Sequence, residues 1–185
     1  PNVCRRPTVV IIAKPFIGYP PHLFEEGVRL GIVQVRRNLA TALSPQIKSL
    51  NFLNNILAKQ EAIRAGVFDG LMLNAEGFIT ECTISNLFFV QSGRLCTPSI
   101  ACGILDGITR EVVLTLAREC GIPTEEGSYT PETLRRANEC FLTNTSMEIM
   151  PVREIDGNLI GTGKPGPLTL TLRNLFRSNL PRFLG

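Results

Sequence analysis

The chain has 185 residues, 44% of them hydrophobic and 19% charged, with a formal net charge of +3. This size and balance describe a single globular domain with a buried core and exclude a disordered segment. Its 19 basic residues are scattered, and the pairs Arg5-Arg6, Arg36-Arg37 and Arg135-Arg136 read as solvated surface, so no nucleic-acid partner is expected.

In chain order, Val9 to Ala13 is an apolar, β-branched run that predicts a central strand. Lys14-Pro15 ends it, and Tyr19-Pro20-Pro21 predicts an exposed loop. Val28, Leu30 and Ile32 alternate with Arg29 and Gly31, the pattern of a strand with one buried face. From Ser49 or Leu50 to Arg64 the spacing predicts a helix with Leu50, Leu53 and Leu57 on one face and Gly66 at its end. Short strands follow at Leu71–Leu73, Phe78–Thr80, Leu87–Val90 and Leu95–Thr97, with a hairpin turn at Gln91–Arg94. Thr109 to Cys120 predicts an amphipathic helix facing inward with Val112, Val113, Leu116 and Ala117, stopped by Gly121 and Pro123. Pro131 opens a short helix, Cys140–Thr143 is a strand, and Ile155–Ile160 is a hairpin. A last helix spans Gly166 to Leu180, with Leu168, Leu172, Leu175 and Phe176 on one side. The expected class is α+β, a strand-rich middle clasped by helices.

The six cysteines, Cys4, Cys82, Cys96, Cys102, Cys120 and Cys140, form no CxxC pair, and His22 is the single histidine, so no metal site is expected. Several of these cysteines sit in apolar runs, as reduced buried thiols do, which points to the cytoplasm. No apolar run reaches membrane-spanning length and no signal peptide is recognised, so no membrane partner is expected.

Four segments carry chemistry. Lys48, in Pro45-Gln46-Ile47-Lys48, is an amine ahead of a helix, and an aldehyde cofactor requires such an amine to hold it as a Schiff base. Desolvation would lower the lysine pKa for base work. Glu81 ends a strand, where a carboxylate can keep a pyridine nitrogen protonated. Gly107-Ile108-Thr109 opens a helix, whose free N–H groups and dipole favour an anion, and Thr109 and Thr145 add hydroxyl donors. Taken singly, each has a bland reading: a surface lysine, a surface glutamate, a cap and a turn. Their joint occurrence favours a pyridoxal phosphate (PLP) site.

In these segments the chain resembles the class IV aminotransferases (PLP fold type IV), a group that includes branched-chain and D-amino-acid aminotransferases and aminodeoxychorismate lyases. The resemblance runs from about Thr8 to Phe176. It is carried by Pro45–Lys48, Glu81–Phe88, Gly107–Val113 and Thr143–Val152. It implies the family's PLP-binding large domain over 21–185, with 1–20 as interdomain linker and first strand. It also implies that a smaller N-terminal domain, which in the family adds a phosphate-binding arginine and specificity residues, precedes the present start. By resemblance, Lys48 is the Schiff-base lysine and proton shuttle, and Glu81 is the pyridine-nitrogen partner. Ile108 and Thr109 begin the phosphate-binding helix, Thr145 is a second phosphate contact, and Thr145 with Ser146 lies near the substrate carboxylate. Phe52 stands where many relatives have a tyrosine on the cofactor's phenolic oxygen, and Cys82 replaces a frequent glycine.

The implied reaction is amino transfer between an amino acid, branched-chain-like or D, and a 2-oxo acid. The implied assembly is a homodimer. Aminodeoxychorismate lyase, which releases pyruvate from the same kind of site, and an inactive truncated PLP domain stand as alternatives.

Overall fold

The computed structural model describes Arg6 and residues 8–184; Cys4, Arg5 and the rest of the opening sequence lie outside the described residues. Nine strands form one mixed sheet in the order β3-β2-β1-β8-β7-β4-β5-β6, with β9 on the side of β8. The strands are β1 (Val28–Ile32), β2 (Asp69–Leu73), β3 (Ile79–Cys82), β4 (Asn86–Gln91), β5 (Arg94–Pro98), β6 (Thr124–Gly127), β7 (Glu139–Asn144), β8 (Glu148–Ile155) and β9 (Asn158–Leu159). The helices are α1 (Pro21–Glu26), α2 (Leu53–Arg64), α3 (Ile108–Glu119), α4 (Pro131–Arg135) and α5 (Pro167–Leu184). The α+β class holds.

Alternation along the strands splits the core into two faces. Phe88 packs with Val112, Val113, Leu116, Phe141, Leu172 and Phe176, beneath α3 and α5. Its neighbour Phe89 joins Leu30, Leu71, Leu142, Met150 and Tyr129 on the opposite face. Phe88 pairs with Phe141 across β4 and β7, and the two rings stack with centroids 5.1 Å apart. Phe88, Phe89 and Phe141 are fully buried, and each such side chain contributes about 1.5–3 kcal/mol. The β4–β5 and β8–β9 hairpins turn on paired positive-φ residues, Ser92-Gly93 and Asp156-Gly157, which match the right-handed twist of the flanking strands.

Three expectations are corrected. Val9–Ala13 forms no strand; Val9, Val10, Ile11 and Ile12 are 72–90% exposed, because no described strand pairs with them and nothing covers their side chains. The helix begins at Leu53, and its buried residues are Asn55, Ala58 and Ala62, while Leu50, Leu53 and Leu57 face outward. Small side chains are needed there because Ala58 packs directly on Val33 and Met72 of the sheet layer. The loop after Tyr19 contains a short helix, α1, which Pro21 starts with φ already set. Strand β8, not anticipated from the sequence, runs through Pro151. Its pairing with β1 begins at Val28–Val152, so Pro151 lies beyond the end of that ladder and its missing N–H breaks no bond there.

The predicted C-terminal helix extends a turn further, through Pro181. The polar strand β6, Thr-Glu-Glu-Gly, carries no apolar alternation and is held by parallel pairing to β5.

Candidate active site

The end of β3, the start of β4, the end of β7 and the start of α3 meet at one corner of the sheet. Cys82 N–H donates to Ser85 O at 2.9 Å, closing the tight turn from β3 into β4. Asn144 Nδ2 donates to Ile84 O at 3.1 Å, joining that turn to the end of β7. These contacts, with residues 37–55, enclose a cavity of about 410 Å³. Lys48, Phe52, Glu81, Ile108, Thr109 and Thr145 all line it. Ser146 lies outside that lining: its backbone N–H and its hydroxyl both donate to Asn144 Oδ1, at 2.9 and 3.1 Å.

Glu81 is the buried charge of the cavity. Its Oε1 pairs with Arg37 Nη2 at 2.6 Å, Leu105 N–H lies 3.1 Å from both carboxylate oxygens, and Asn86 Nδ2 donates to Oε2 at 3.0 Å. Burial pushes its pKa up from 4.5 to about 7, against the lowering by Arg37, Leu105, Lys48 and Arg110. A cation brought to this carboxylate would be strongly favoured, because the burial cost is already met.

Also lining the cavity, α3 starts without a side-chain cap on Gly107, so its first N–H groups are left to whatever occupies the cavity. Buried Thr109 stands in that first turn, and Ile108 is exposed beside it. Arg110 is buried but turned away, donating to Pro98 O at 3.1 Å and pairing with Glu126 at 2.6 Å. Ser85 Oγ and Thr143 Oγ1 are buried at the cavity with no hydrogen-bond partner among the described residues.

The mouth of the cavity is formed by Lys48, Phe52, Ile108 and Thr145, all exposed. The burial expected for Lys48 is thus not found: it lies exposed in the irregular segment at the rim, although Pro45 of the same segment is buried.

Sequence reasoning missed the residues that hold Glu81. Arg37, read as half of a solvated pair, has a side chain only 8% exposed, while Arg36 faces solvent. Asn86 was visible within Glu81–Phe88 but carried no assigned role.

Comparison with known proteins gives the same family. The model described as amino-transferase class IV matches residues 2–155. A Methanocaldococcus jannaschii protein provisionally named a branched-chain-amino-acid aminotransferase is 44% identical over 177 residues, covering 96% of this chain and 60% of its own length. The D-alanine aminotransferase of Listeria innocua is 40% identical over 139 residues, covering 75% of this chain and 48% of its own. The branched-chain amino acid aminotransferase of Escherichia coli superposes with a TM-score of 0.86 at 34% identity, over 89% of this chain and 55% of that one. This chain belongs to the class IV aminotransferase family.

Class IV aminotransferases are PLP enzymes. A second branched-chain amino acid aminotransferase, solved with pyridoxamine 5′-phosphate, superposes with a TM-score of 0.84 at 32% identity, over 91% of this chain and 54% of that one. The present chain spans about half to 60% of the length of the relatives it matches. Its sheet is that of the family's large domain. Among the described residues no helix is long and apolar enough to cross a membrane.

Proposed function

We propose that this chain is the cofactor-binding part of a PLP-dependent aminotransferase, moving an amino group between an amino acid and a 2-oxo acid, with Lys48 as the amine that holds the cofactor. The observation that carries this reading is that Lys48, Glu81 and the uncapped start of α3 line one cavity.

The donor set fits PLP from end to end. A helix N-terminus suits a phosphate dianion, a buried carboxylate suits a protonated ring nitrogen, and a rim lysine suits an aldehyde. The volume falls within the roughly 300–1,000 Å³ common for cofactor sites. Ser85 Oγ and Thr143 Oγ1 are unpaired polar atoms that a polar ligand could satisfy.

When bound, PLP supplies an electron sink for the electron pair of the substrate's α C–H bond. The remaining work belongs to this chain. The N–H groups of Ile108 and Thr109, with the hydroxyls of Thr109 and Thr145, bind the phosphate. Glu81, fixed by Arg37, Leu105 and Asn86, holds the proton at the ring nitrogen. Lys48 Nζ would carry the proton from the substrate α-carbon to the cofactor carbon that had borne the aldehyde. Thr145 is placed to meet the substrate carboxylate, and Ser146 acts through Asn144 by shaping the same turn.

The relatives reported above act, by name, on branched-chain amino acids and D-alanine, which supports amino transfer over pyruvate elimination and those two classes as donors. A homodimer, implied by the resemblance, and a cytoplasmic location, implied by the cysteines in apolar runs, complete the reading. The test adds PLP to the purified chain, records the visible spectrum, reduces with borohydride and maps the labelled peptide. Label on Lys48, absent in Lys48→Ala, is expected. A label that persists in Lys48→Ala overturns the assignment. Donor screening with branched-chain L-amino acids and D-alanine against 2-oxoglutarate then sets the substrate class.

A further inference from the structure

We infer that Arg37 is a positioning residue for the pyridine end of the site, holding the Glu81 carboxylate charged and fixed toward the cavity without itself serving as the ring-nitrogen partner. This inference rests on the aminotransferase reading and extends it to a residue outside the recognised motifs.

The geometry is that of a three-way clamp. Arg37 N–H donates to Leu73 O at 2.9 Å, which pins its backbone to the strand beside β3. Its guanidinium then spends its donors in three directions: Nη2 on Glu81 Oε1 at 2.6 Å, Nη1 on Asn55 Oδ1 at 2.8 Å and Nε on Gly103 O at 3.2 Å. Asn55, on α2, in turn donates through Nδ2 to Thr83 O at 2.7 Å, in the turn that follows Glu81. One side chain therefore ties α2, β3 and the loop before α3 around a single carboxylate. Both partners of the pair are nearly buried, with side chains 8% and 6% exposed.

The clamp matters because Glu81 has little else to keep it charged. Its other direct donors, Leu105 N–H and Asn86 Nδ2, are neutral dipoles. The charged groups that face it are Arg37, Lys48 and Arg110. Lys48 stands at the solvated rim and is taken up by the cofactor in this reading, and Arg110 is already paired with Asp106 and Glu126. Without Arg37 burial raises the Glu81 pKa further above about 7, and a neutral acid cannot hold a protonated ring nitrogen. A lysine cannot replace the clamp fully, since one ammonium lacks the planar fork that reaches Glu81, Asn55 and Gly103 together.

The experiment is a double-mutant cycle on the full chain. PLP affinity is measured by absorbance titration for the wild type, Arg37→Met, Arg37→Lys, Glu81→Gln and the double variant Arg37→Met/Glu81→Gln. If Arg37 acts through Glu81, Arg37→Met weakens PLP about tenfold or more with Glu81 present and less than about twofold in the Glu81→Gln background. Arg37→Lys falls between. A second arm needs no PLP and compares urea unfolding of the apo chains from pH 5 to 9, where Arg37→Met should carry the Glu81-dependent loss of stability upward by about one pH unit or more. Equal losses of PLP affinity in both backgrounds, no loss in either, or an unmoved pH profile overturns the inference. If the wild-type chain binds no PLP, the aminotransferase reading falls, while the apo arm still decides whether Arg37 sets the charge on Glu81.

Discussion

Asn86 Oδ1 fills the space that a Cβ on Gly107 would need, while its Nδ2 donates to Glu81 Oε2 at 3.0 Å and to Leu105 O at 2.8 Å. A single amide thus links the Glu81 carboxylate to the start of α3. Gly107 is glycine because this approach leaves no room for a side chain, not because of an unusual φ; its φ of −78° is open to any residue.

Gly107→Ala follows directly. The new methyl must displace Asn86, which is buried and cannot swing to solvent, so both of its donor bonds and the position of the α3 start are disturbed. PLP affinity should fall about tenfold, ~1.4 kcal/mol, with a smaller change in unfolding stability. An absorbance titration with unchanged affinity would show that the Glu81 carboxylate and the start of α3 are independent.

Glu81 gives the apo chain a pH dependence of definite sign. Its folded-state pKa, about 7, lies above the ordinary 4.5 because burial dominates. Between these values the folded chain keeps the proton and the unfolded chain releases it, so folding is favoured at the acid end. Stability should fall as pH rises from about 4.5 to about 7, by on the order of 3 kcal/mol, and then level off. The check is the difference in urea unfolding free energy between wild type and Glu81→Gln at pH 5 and pH 8. A difference that does not change between the two pH values would refute it.

Glu139 holds α5 to the sheet. Its Oε1 accepts from Leu168 N–H at 3.1 Å and its Oε2 from Thr169 N–H and Oγ1, both at 2.7 Å. These are the orphan donors of a helix start, met by a buried charge. Glu139→Ala leaves them unpaired in the interior and should cost about 2–4 kcal/mol in chemical denaturation. Glu139→Gln keeps one acceptor oxygen, enough for the Thr169 donors, and should recover part of this. A loss under about 0.5 kcal/mol in Glu139→Ala would mean that α5 is held by its apolar face alone.

Much of this organisation was legible because local patterns carried it. The α3 periodicity places Val112, Val113, Leu116 and Ala117 inward, as the structure does, and the turn at Gln91–Arg94 has the residues its twist requires. The cavity gathers Lys48, Phe52, Glu81, Ile108, Thr109 and Thr145 from segments spread over about a hundred positions. What stayed hidden depends on tertiary neighbours. Arg37 looks like surface until β3 is laid beside it.

The inward face of α2 is the sharpest of these differences, and it is directly testable. Leucine spacing alone would bury Leu50, Leu53 and Leu57, but the sheet lies against Ala58 and Ala62, which are fully buried. Ala58 meets Val33 and Met72, so there is no space for a longer side chain. Ala58→Leu should therefore overpack the layer and cost about 1–3 kcal/mol, whereas Leu57→Gln, on the exposed face, should change stability of this chain by less than about 0.5 kcal/mol. Met72→Ala, beneath the same contact, should cost about 2–5 kcal/mol through the cavity it leaves. Urea unfolding of the three variants ranks them. If Leu57→Gln proves the costliest, the helix is rotated from the position described, and Asn55 could not then reach both Arg37 and Thr83 from beneath it.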